Sequence, residues 1–161
     1  MSRLDSFIRR LQAQKACLEQ AARLIEPLRG PILEIGLGNG RTYDHLRELF
    51  PNRAIFVFDK RVAGHPHCIP DSKHLILGDI CETLLVANQR IAQPAALAHV
   101  DCGTGDASKN ARLMSDISDA LLSLMGKNSV IVSDQKISSS LAHTLSLPEG
   151  VAPGRYFMYQ C

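Results

Sequence analysis

The chain has 161 residues, of which 45% are hydrophobic, and this size suits one domain with a core that needs no disulfide or structural metal. The formal net charge is only +2, and no basic block is interleaved with aromatic residues, so nucleic acid is not expected as a partner. Five cysteines without a CxxC pair indicate reduced thiols in a cytoplasmic protein. No segment has the roughly 20 apolar residues that a membrane span requires, and the charged start does not predict a signal peptide. We predict one domain over residues 1–161.

The first predicted element is an amphipathic helix within residues 1–30. Apolar residues recur at helical spacing from Leu4 to Leu28, and the helix is expected to end at Gly30-Pro31. A terminal strand is predicted over Tyr156 to Gln160, at an open edge of a sheet. Because the apolar helix stripe and the strand edge both need cover, the sequence predicts a homodimer or larger homo-oligomer.

Strands and helices alternate between these two ends. A Ser-rich helical stretch and a loop from Pro148 to Gly154 are expected just before the terminal strand. The alternation predicts an α/β fold with a doubly wound, mostly parallel sheet and helices on both faces, in three layers. The predicted strands are 32–35, 54–58, 74–77, 96–100 and 129–133. Of the helices between them, one includes Leu46 to Phe50 and ends at Pro51-Asn52, one covers 82–91, and one runs from a cap at Asp106 or Ser108 to Met125.

Acidic residues recur in or directly after the five predicted parallel strands. In such sheets, ligands bind at the carboxyl ends of the strands, where the strand order reverses. Aspartate also favours loops and helix caps for local reasons, which would account for one or two of these positions. Five in succession favour a binding site. These residues are Glu34, Asp59, Asp79, Asp101 and Asp134.

A glycine-rich turn follows the first strand, with Gly36, Gly38 and Gly40 before a helical segment. The dinucleotide fingerprint GxGxxG needs a third glycine where this chain has Arg41. Together with Glu34, the turn reads E-x-G-x-G-x-G, which resembles motif I of the class I S-adenosylmethionine-dependent methyltransferases. Because Asp59 is also compatible with NAD, an NAD-binding Rossmann protein stays as an alternative.

The resemblance implies a role for each motif residue. Glu34 would lie near the ammonium of S-adenosylmethionine, the glycine turn would leave space for the methionine part, and Asp59 would accept hydrogen bonds from the ribose. Asp79 and Ile80 resemble the pair that contacts adenine, and the family's sheet is expected to be shortened at the C-terminus here. The implied cofactor contacts are Glu34, Gly36, Leu37, Gly38, Asn39, Gly40, Asp59, Lys60, Asp79, Ile80, Asp101 and Cys102.

The strand ends also resemble the divalent-metal-dependent O-methyltransferases of the catechol type. Asp101, Asp134 and Gln135 would bind Mg²⁺ against a substrate hydroxyl and lower its pKa. The chain departs from that pattern, with Gln135 for an asparagine and residues 102–105 in place of a second aspartate and its neighbours. Catalysis would therefore rest on Asp101 and Asp134, with Lys109 as an alternative base or orienting cation.

The resulting prediction is an S-adenosylmethionine-dependent methyltransferase that acts on a small-molecule acceptor, with O-methylation as the specific version. A cofactor-binding protein without transferase activity is the alternative from another class, since the chain has little beyond the cofactor-binding fold. The segment His65-Pro66-His67-Cys68 could bind a soft metal, but its spacing is typical of a loop with incidental imidazoles.

Overall fold

A computed structural model describes residues 2–161. Four α-helices and seven strands alternate through most of the chain, and short 3₁₀ turns lie at Pro66–Cys68 and Ala87–Gln89. The helices are α1 (Arg3–Leu24), α2 (Arg41–Leu49), α3 (Ile80–Leu85) and α4 (Ala107–Ser123). The strands are β1 (Ile32–Ile35), β2 (Ile55–Asp59), β3 (Leu75–Leu77), β4 (Ala95–Val100), β5 (Met125–Ser133), β6 (His143–Thr144) and β7 (Phe157–Gln160).

The strands form one sheet in the order β3-β2-β1-β4-β5-β7-β6. The first five strands of this order are parallel, while β7 is antiparallel to both β5 and β6. The chain moves outward from β1 to β3 and then returns to β4 on the other side of β1. The fold is therefore the predicted doubly wound, mostly parallel sheet, and its crevice lies between the carboxyl ends of β1 and β4.

Two apolar cores give the three layers. One core packs α1 and α2 against the sheet, with Leu18 and Leu46 meeting Val57 and Leu97. The other packs α3 and α4 against the opposite face. Buried strands alternate their side chains between the two cores, which is why the short strands read as continuous apolar runs in the sequence.

The region after β5 differs from its prediction. No helix forms over residues 137–142, because the Ile137 amide donates to the Tyr159 hydroxyl (3.0 Å) and the Leu141 amide donates to the Ser139 hydroxyl (3.1 Å). β7 is not the edge strand, since the unforeseen two-residue β6 pairs with its outer side. The predicted helix over 82–91 is instead the shorter α3 followed by a 3₁₀ turn. Within residues 2–161, no helix is both long and apolar enough to cross a membrane.

Candidate active site

The glycine turn between β1 and α2 has a backbone that side chains rarely adopt, with φ of 100° at Gly36, 52° at Gly38 and 84° at Gly40. A Cβ at Gly36 would lie 2.4 Å from the Asp101 carbonyl oxygen, and one at Gly40 would lie 2.5 Å from the Cβ of Cys68. A Cβ at Gly38 would meet nothing within 4 Å. Contacts within the protein thus exclude a side chain at Gly36 and Gly40, whereas a Cβ at Gly38 would have open space around it. That the methionine part of the cofactor lies over this turn stays a prediction.

Asp59, at the end of β2, fixes the conformation of this turn. Its Oδ2 accepts hydrogen bonds from the amides of Leu37 (2.8 Å) and Gly38 (3.1 Å), and its Oδ1 accepts one from the amide of Arg61 (3.2 Å). An ionised carboxylate has about four acceptor positions, so one remains for a hydroxyl in the crevice.

A cavity of about 550 Å³ opens in the crevice, a volume that suits a nucleoside-sized ligand. Its wall includes the apolar side chains of Ala63, Ile80 and Leu113, which suit a planar base. Charged residues line it after β2, β3 and β4. Eight of the twelve expected cofactor contacts line it: Gly36, Gly38, Asp59, Lys60, Asp79, Ile80, Asp101 and Cys102.

Asp79 has both of its oxygens engaged. Oδ1 accepts from the Cys81 amide (2.9 Å) and caps α3, while Oδ2 lies 2.7 Å from Nζ of Lys60. The Lys60 ammonium lowers the pKa of Asp79 below its ordinary value. Lys60 and Asp79 were both predicted as cofactor contacts, and nothing in the sequence indicates that they form an ion pair with each other.

Four expected contacts lie outside this wall. The Leu37 side chain is in the core, and Gly40 packs on Cys68. The Asn39 side chain accepts from the Arg41 amide (3.2 Å) at the start of α2. Glu34 is the fourth and the most informative of them.

Glu34 is fully buried and does not line the cavity, so its expected place near the cofactor ammonium, directly or through water, stays a prediction. Glu34 and His99 are direct partners in the β1–β4 pairing, and Glu34 Oε2 lies 2.7 Å from His99 Nδ1. The Thr42 hydroxyl donates to the other carboxylate oxygen. The acid of the motif therefore ties β1 to β4 and to the first turn of α2.

Burial of His99 opposes its charged form, but the carboxylates of Glu34, Asp101 and Asp134 together outweigh burial and raise the pKa of the imidazole. The His99 ring stacks on Tyr156, with 6.2 Å between the ring centroids. Burial raises the pKa of the Tyr156 hydroxyl, which has no hydrogen-bond partner among residues 2–161. A buried polar layer therefore lies beneath the crevice.

Helix α1 supplies two side chains that sequence reasoning missed. Arg10 donates to Asp101 Oδ1, and Gln14 Nε2 donates to Asp101 Oδ2 (2.8 Å) while lying 3.3 Å from His99 Nε2. Gln14 is only 5% exposed. The available signal was this pair of polar residues four positions apart beside the apolar stripe of an amphipathic helix, a stripe that we interpreted as a docking face.

Asp134 lies directly behind the wall of the cavity. A Cβ on Gly103 would be 2.3 Å from Asp134 Oδ2 and 2.7 Å from Gln135 Nε2, so the two side chains pack against Gly103. Gln135 donates to Asp134 Oδ2 (3.2 Å), while the buried Oδ1 has no partner among residues 2–161. Burial, and next the charge of Asp101, raise the pKa of Asp134.

A second cavity, of about 720 Å³, begins at Asp134 and Gln135. Its other side is formed by α4, with Met114, Ser115 and Asp119, and by residues near β7 including Phe157. Gly103 lies in the wall of the first cavity and against the two residues that line the second. The two cavities are therefore neighbours.

The predicted metal ligands do not fit Mg²⁺ in this arrangement. Asp101 already has a guanidinium on one oxygen and an amide on the other, and Gln135 directs its nitrogen at Asp134. No group of three or more His, Cys, Asp or Glu in the described part of the chain could bind a metal ion, and this includes the His65–Cys68 segment.

Two further candidates have no catalytic surroundings. Lys109 is 79% exposed, lies 3.5 Å from Asp106 and lines neither cavity. Cys102 does line the first cavity, but burial raises the pKa of its thiol to about 12, so it stays a protonated wall residue.

Comparison with known proteins defines the class. The fold is shared with solved methyltransferases: a sugar N-methyltransferase, KedS8 from Streptoalloteichus sp ATCC 53650, superposes with a TM-score of 0.52 at 17% identity over 90% of this chain and 61% of its own. The methyltransferase MycE of the mycinamycin biosynthetic pathway, solved with Mg, SAH and mycinamycin VI, gives 0.52 at 14% identity over 89% of this chain and 47% of its own. At such identities the likeness concerns the fold alone.

A much nearer relative is the S-adenosyl-L-methionine methyl transferase from Silicibacter pomeroyi DSS-3, which is 42% identical over 99% of this chain and 98% of its own, with a TM-score of 0.93. The profile of the S-adenosyl-L-methionine methyltransferase family matches residues 1–161. The chain belongs to this family. No curated protein matches the sequence. S-adenosylmethionine is the cofactor, and the protein is a methyltransferase that depends on it; the NAD-binding and non-enzyme alternatives are set aside.

Proposed function

We propose that the methyl acceptor is a small hydroxylated molecule that occupies the second cavity, and that Asp134 removes the proton from its hydroxyl. The observation that carries the proposal is the position of Asp134. This residue packs against Gly103 of the cofactor cavity and also lines a neighbouring cavity of about 720 Å³. Methyl transfer needs the acceptor atom in line with the sulfonium methyl, so an acceptor cavity must adjoin the cofactor cavity.

The residues that would bind S-adenosylmethionine are Asp59 at the ribose, the apolar wall near Ile80 at the base, and Asp101 at the ammonium. When bound, the cofactor supplies an electrophilic methyl carbon on a positively charged sulfur. An acceptor oxygen in line with that carbon would take the methyl group, and the electron pair of the broken carbon–sulfur bond would stay on the sulfur and neutralise its charge. The hydroxyl proton passes to the Asp134 carboxylate.

The raised pKa of Asp134 supports its role as a base. A carboxylate of ordinary pKa is a weak base near neutral pH. Burial and the charge of the neighbouring Asp101 raise the pKa of Asp134, which makes its carboxylate a stronger base. A phenol-type hydroxyl, with a pKa near about 10, is a suitable proton donor for such a base. Met114 and Phe157 give the cavity an apolar part that suits an aromatic ring.

The test is turnover on a panel of phenols and catechols with the variant Asp134→Asn. We expect the rate to fall by about 100-fold or more, the range of a lost general base, with little change in cofactor affinity. Asp119→Asn is the matched control, because Asp119 lines the same cavity from α4. Full activity in Asp134→Asn would overturn the role of this residue.

The magnesium prediction is tested in the same assay. Because Arg10 already neutralises Asp101, we expect a chelator to leave the rate unchanged. Loss of activity on chelation, restored by Mg²⁺, would instead support binding of the metal by Asp101, Asp134 and Gln135.

We further propose that the protein acts in the cytoplasm as a homo-oligomer without a nucleic-acid partner. All five cysteines are free, which suits a reducing compartment. The first turns of α1 expose three large apolar side chains, Leu4 (66%), Phe7 (45%) and Ile8 (43%), on one segment, and this segment is the proposed contact between copies.

A further inference from the structure

The ion pair between Arg10 and Asp101 lies at one end of the cofactor cavity. Asp101 is part of the cavity wall at the glycine turn, where its carbonyl oxygen touches Gly36. Its carboxylate accepts one hydrogen bond from Arg10 and one from Gln14, which leaves about two acceptor positions. The pair is joined across 91 positions of sequence, so helix α1 contacts this end of the cavity through the Asp101 carboxylate.

The Arg10 guanidinium has donors to spare. Its side chain is 35% exposed, and the hydrogen bonds of residues 2–161 engage only its Nη2, on Asp101. A guanidinium carries five N–H donors in a rigid fork that matches a carboxylate. Arg10 can therefore keep its bond to Asp101 and still receive a second anion.

The amino-acid end of S-adenosylmethionine carries an ammonium and a carboxylate on one carbon. An Arg–Asp pair is the charge complement of such a zwitterion, since the ammonium can bind the aspartate while the carboxylate binds the guanidinium. The two cations that line the cavity, Lys60 and Arg61, follow β2, next to Asp59. Lys60 is paired with Asp79 at 2.7 Å, and Arg61 follows Asp59 at the ribose position.

We propose that Arg10 is the residue that binds the carboxylate of the cofactor's methionine part, beside the ammonium on Asp101. Gln14 is a positioning residue: it fixes the second oxygen of Asp101 and connects it to His99. The binding of the amino-acid end thus depends on an N-terminal helix that lies outside the glycine motif.

The experiment uses calorimetry on the full chain with three ligands that differ only at this end. S-adenosylhomocysteine has both charges, its decarboxylated form S-adenosyl-3-thiopropylamine has only the ammonium, and 5′-methylthioadenosine has neither. The readout is the ratio of affinities between the first two ligands, which isolates the carboxylate. In Arg10→Ala we expect this ratio to fall about tenfold or more, the usual worth of a charge-assisted hydrogen bond.

Matched variants separate the proposal from a general loss of structure. Arg9→Ala removes an exposed arginine from the same helix turn and should leave the ratio unchanged. Arg10→Lys keeps the charge without the fork, so it should give a smaller fall, and it carries the test if Arg10→Ala does not fold. Affinity for 5′-methylthioadenosine should be nearly equal in all folded variants.

Two results would overturn the proposal. One is an unchanged affinity ratio in Arg10→Ala, or in Arg10→Lys when only that variant folds. The other is a fall of the ratio in Arg61→Ala and not in the Arg10 variants, which would assign the carboxylate to Arg61. Neither result bears on Asp134, so the proposed acceptor chemistry is tested separately.

Discussion

Asp59 fixes the glycine turn through two amides, and it is the residue that we propose to accept a hydrogen bond from the cofactor ribose. We expect Asp59→Ala to weaken binding of S-adenosylhomocysteine by about 1.5–3 kcal/mol, the worth of hydrogen bonds to a charged group. Calorimetry measures this change, and Asp71→Ala, an exposed aspartate in the loop before β3, is the control. Equal affinity in Asp59→Ala and the parent protein would contradict the assignment.

Gly103 separates Asp134 from the cofactor cavity, and its lack of a side chain is what admits the carboxylate. An alanine methyl would lie 2.3 Å from Asp134 Oδ2, so Gly103→Ala must displace that side chain. We expect turnover to fall at least about tenfold, because small displacements of reacting groups are costly. Gly105→Ala is the control, since a Cβ there meets nothing within 4 Å.

At the scale of single residues, the strand-end rule identified Asp59, Asp79 and Asp101 correctly as residues of the cavity wall. It failed for Glu34, because burial of that carboxylate depends on His99 and Thr42, which reach it from other elements. Local sequence contains no information about those partners. For the same reason, the sequence did not indicate the role of Arg10, because its partner Asp101 directly follows β4 and is distant in sequence.

The pairing of β1 with β4 contains the buried Glu34–His99 contact, and this pair should make stability depend on pH. The folded pKa of His99 is raised above its unfolded value of about 6.5, so its contribution is present below that pH and is lost as the pH rises through the folded pKa. Urea denaturation from pH 6 to pH 9 should show a falling free energy of unfolding. This fall should shrink in Glu34→Gln, which removes the charge that raises the pKa.

His143 offers the matched control, since it is an exposed histidine on β6. His143→Gln should keep the full pH dependence of the parent protein. An identical dependence in Glu34→Gln would show that His99 is not charged in the folded state.

At the scale of elements, hydrophobic patterning located β1, β2, β4, α2 and α4 closely, since each has an apolar run or stripe bounded by glycine, proline or a capping residue. It missed β6, because two exposed residues have no periodicity to detect. It also predicted a helix in the Ser-rich segment, where none forms. The hydrogen bond from the Ile137 amide to the Tyr159 hydroxyl joins residues that are distant in sequence, so the local pattern does not indicate it.

At the scale of the molecule, the exposed apolar segment of α1 predicts association. Phe7→Glu should convert an oligomer to monomer in light scattering, because a charge in an apolar contact is costly to bury. Leu85→Glu is the control, as it places the same charge at an exposed leucine of α3 on the opposite face of the sheet. A parent protein that is monomeric at high micromolar concentration would contradict the proposal.

The complete site also exists only at this scale. The proposed site combines residues from four separate parts of the chain: Arg10, Asp59, Asp101 and Asp134. They lie near the point where the strand order of the sheet reverses. The fold class and the cofactor could be predicted because motif I and the alternation of strands and helices are local or periodic features of the sequence. The ion pair to α1 and the second cavity could not, because both depend on how helices pack across the sheet.

The burial of Glu34 has a consequence for how mutational scans of this enzyme should be interpreted. Substitutions at Glu34 and His99 should lower the cellular abundance of the protein, and methylation should fall only in proportion, because both residues stabilise the interior. Substitutions at Asp59 or Asp134 should reduce methylation per molecule more than abundance. A scan that scores growth alone would rank all four residues as equally essential and would suggest a catalytic role for Glu34. Measuring protein abundance and methylation separately would show that Glu34 acts on stability.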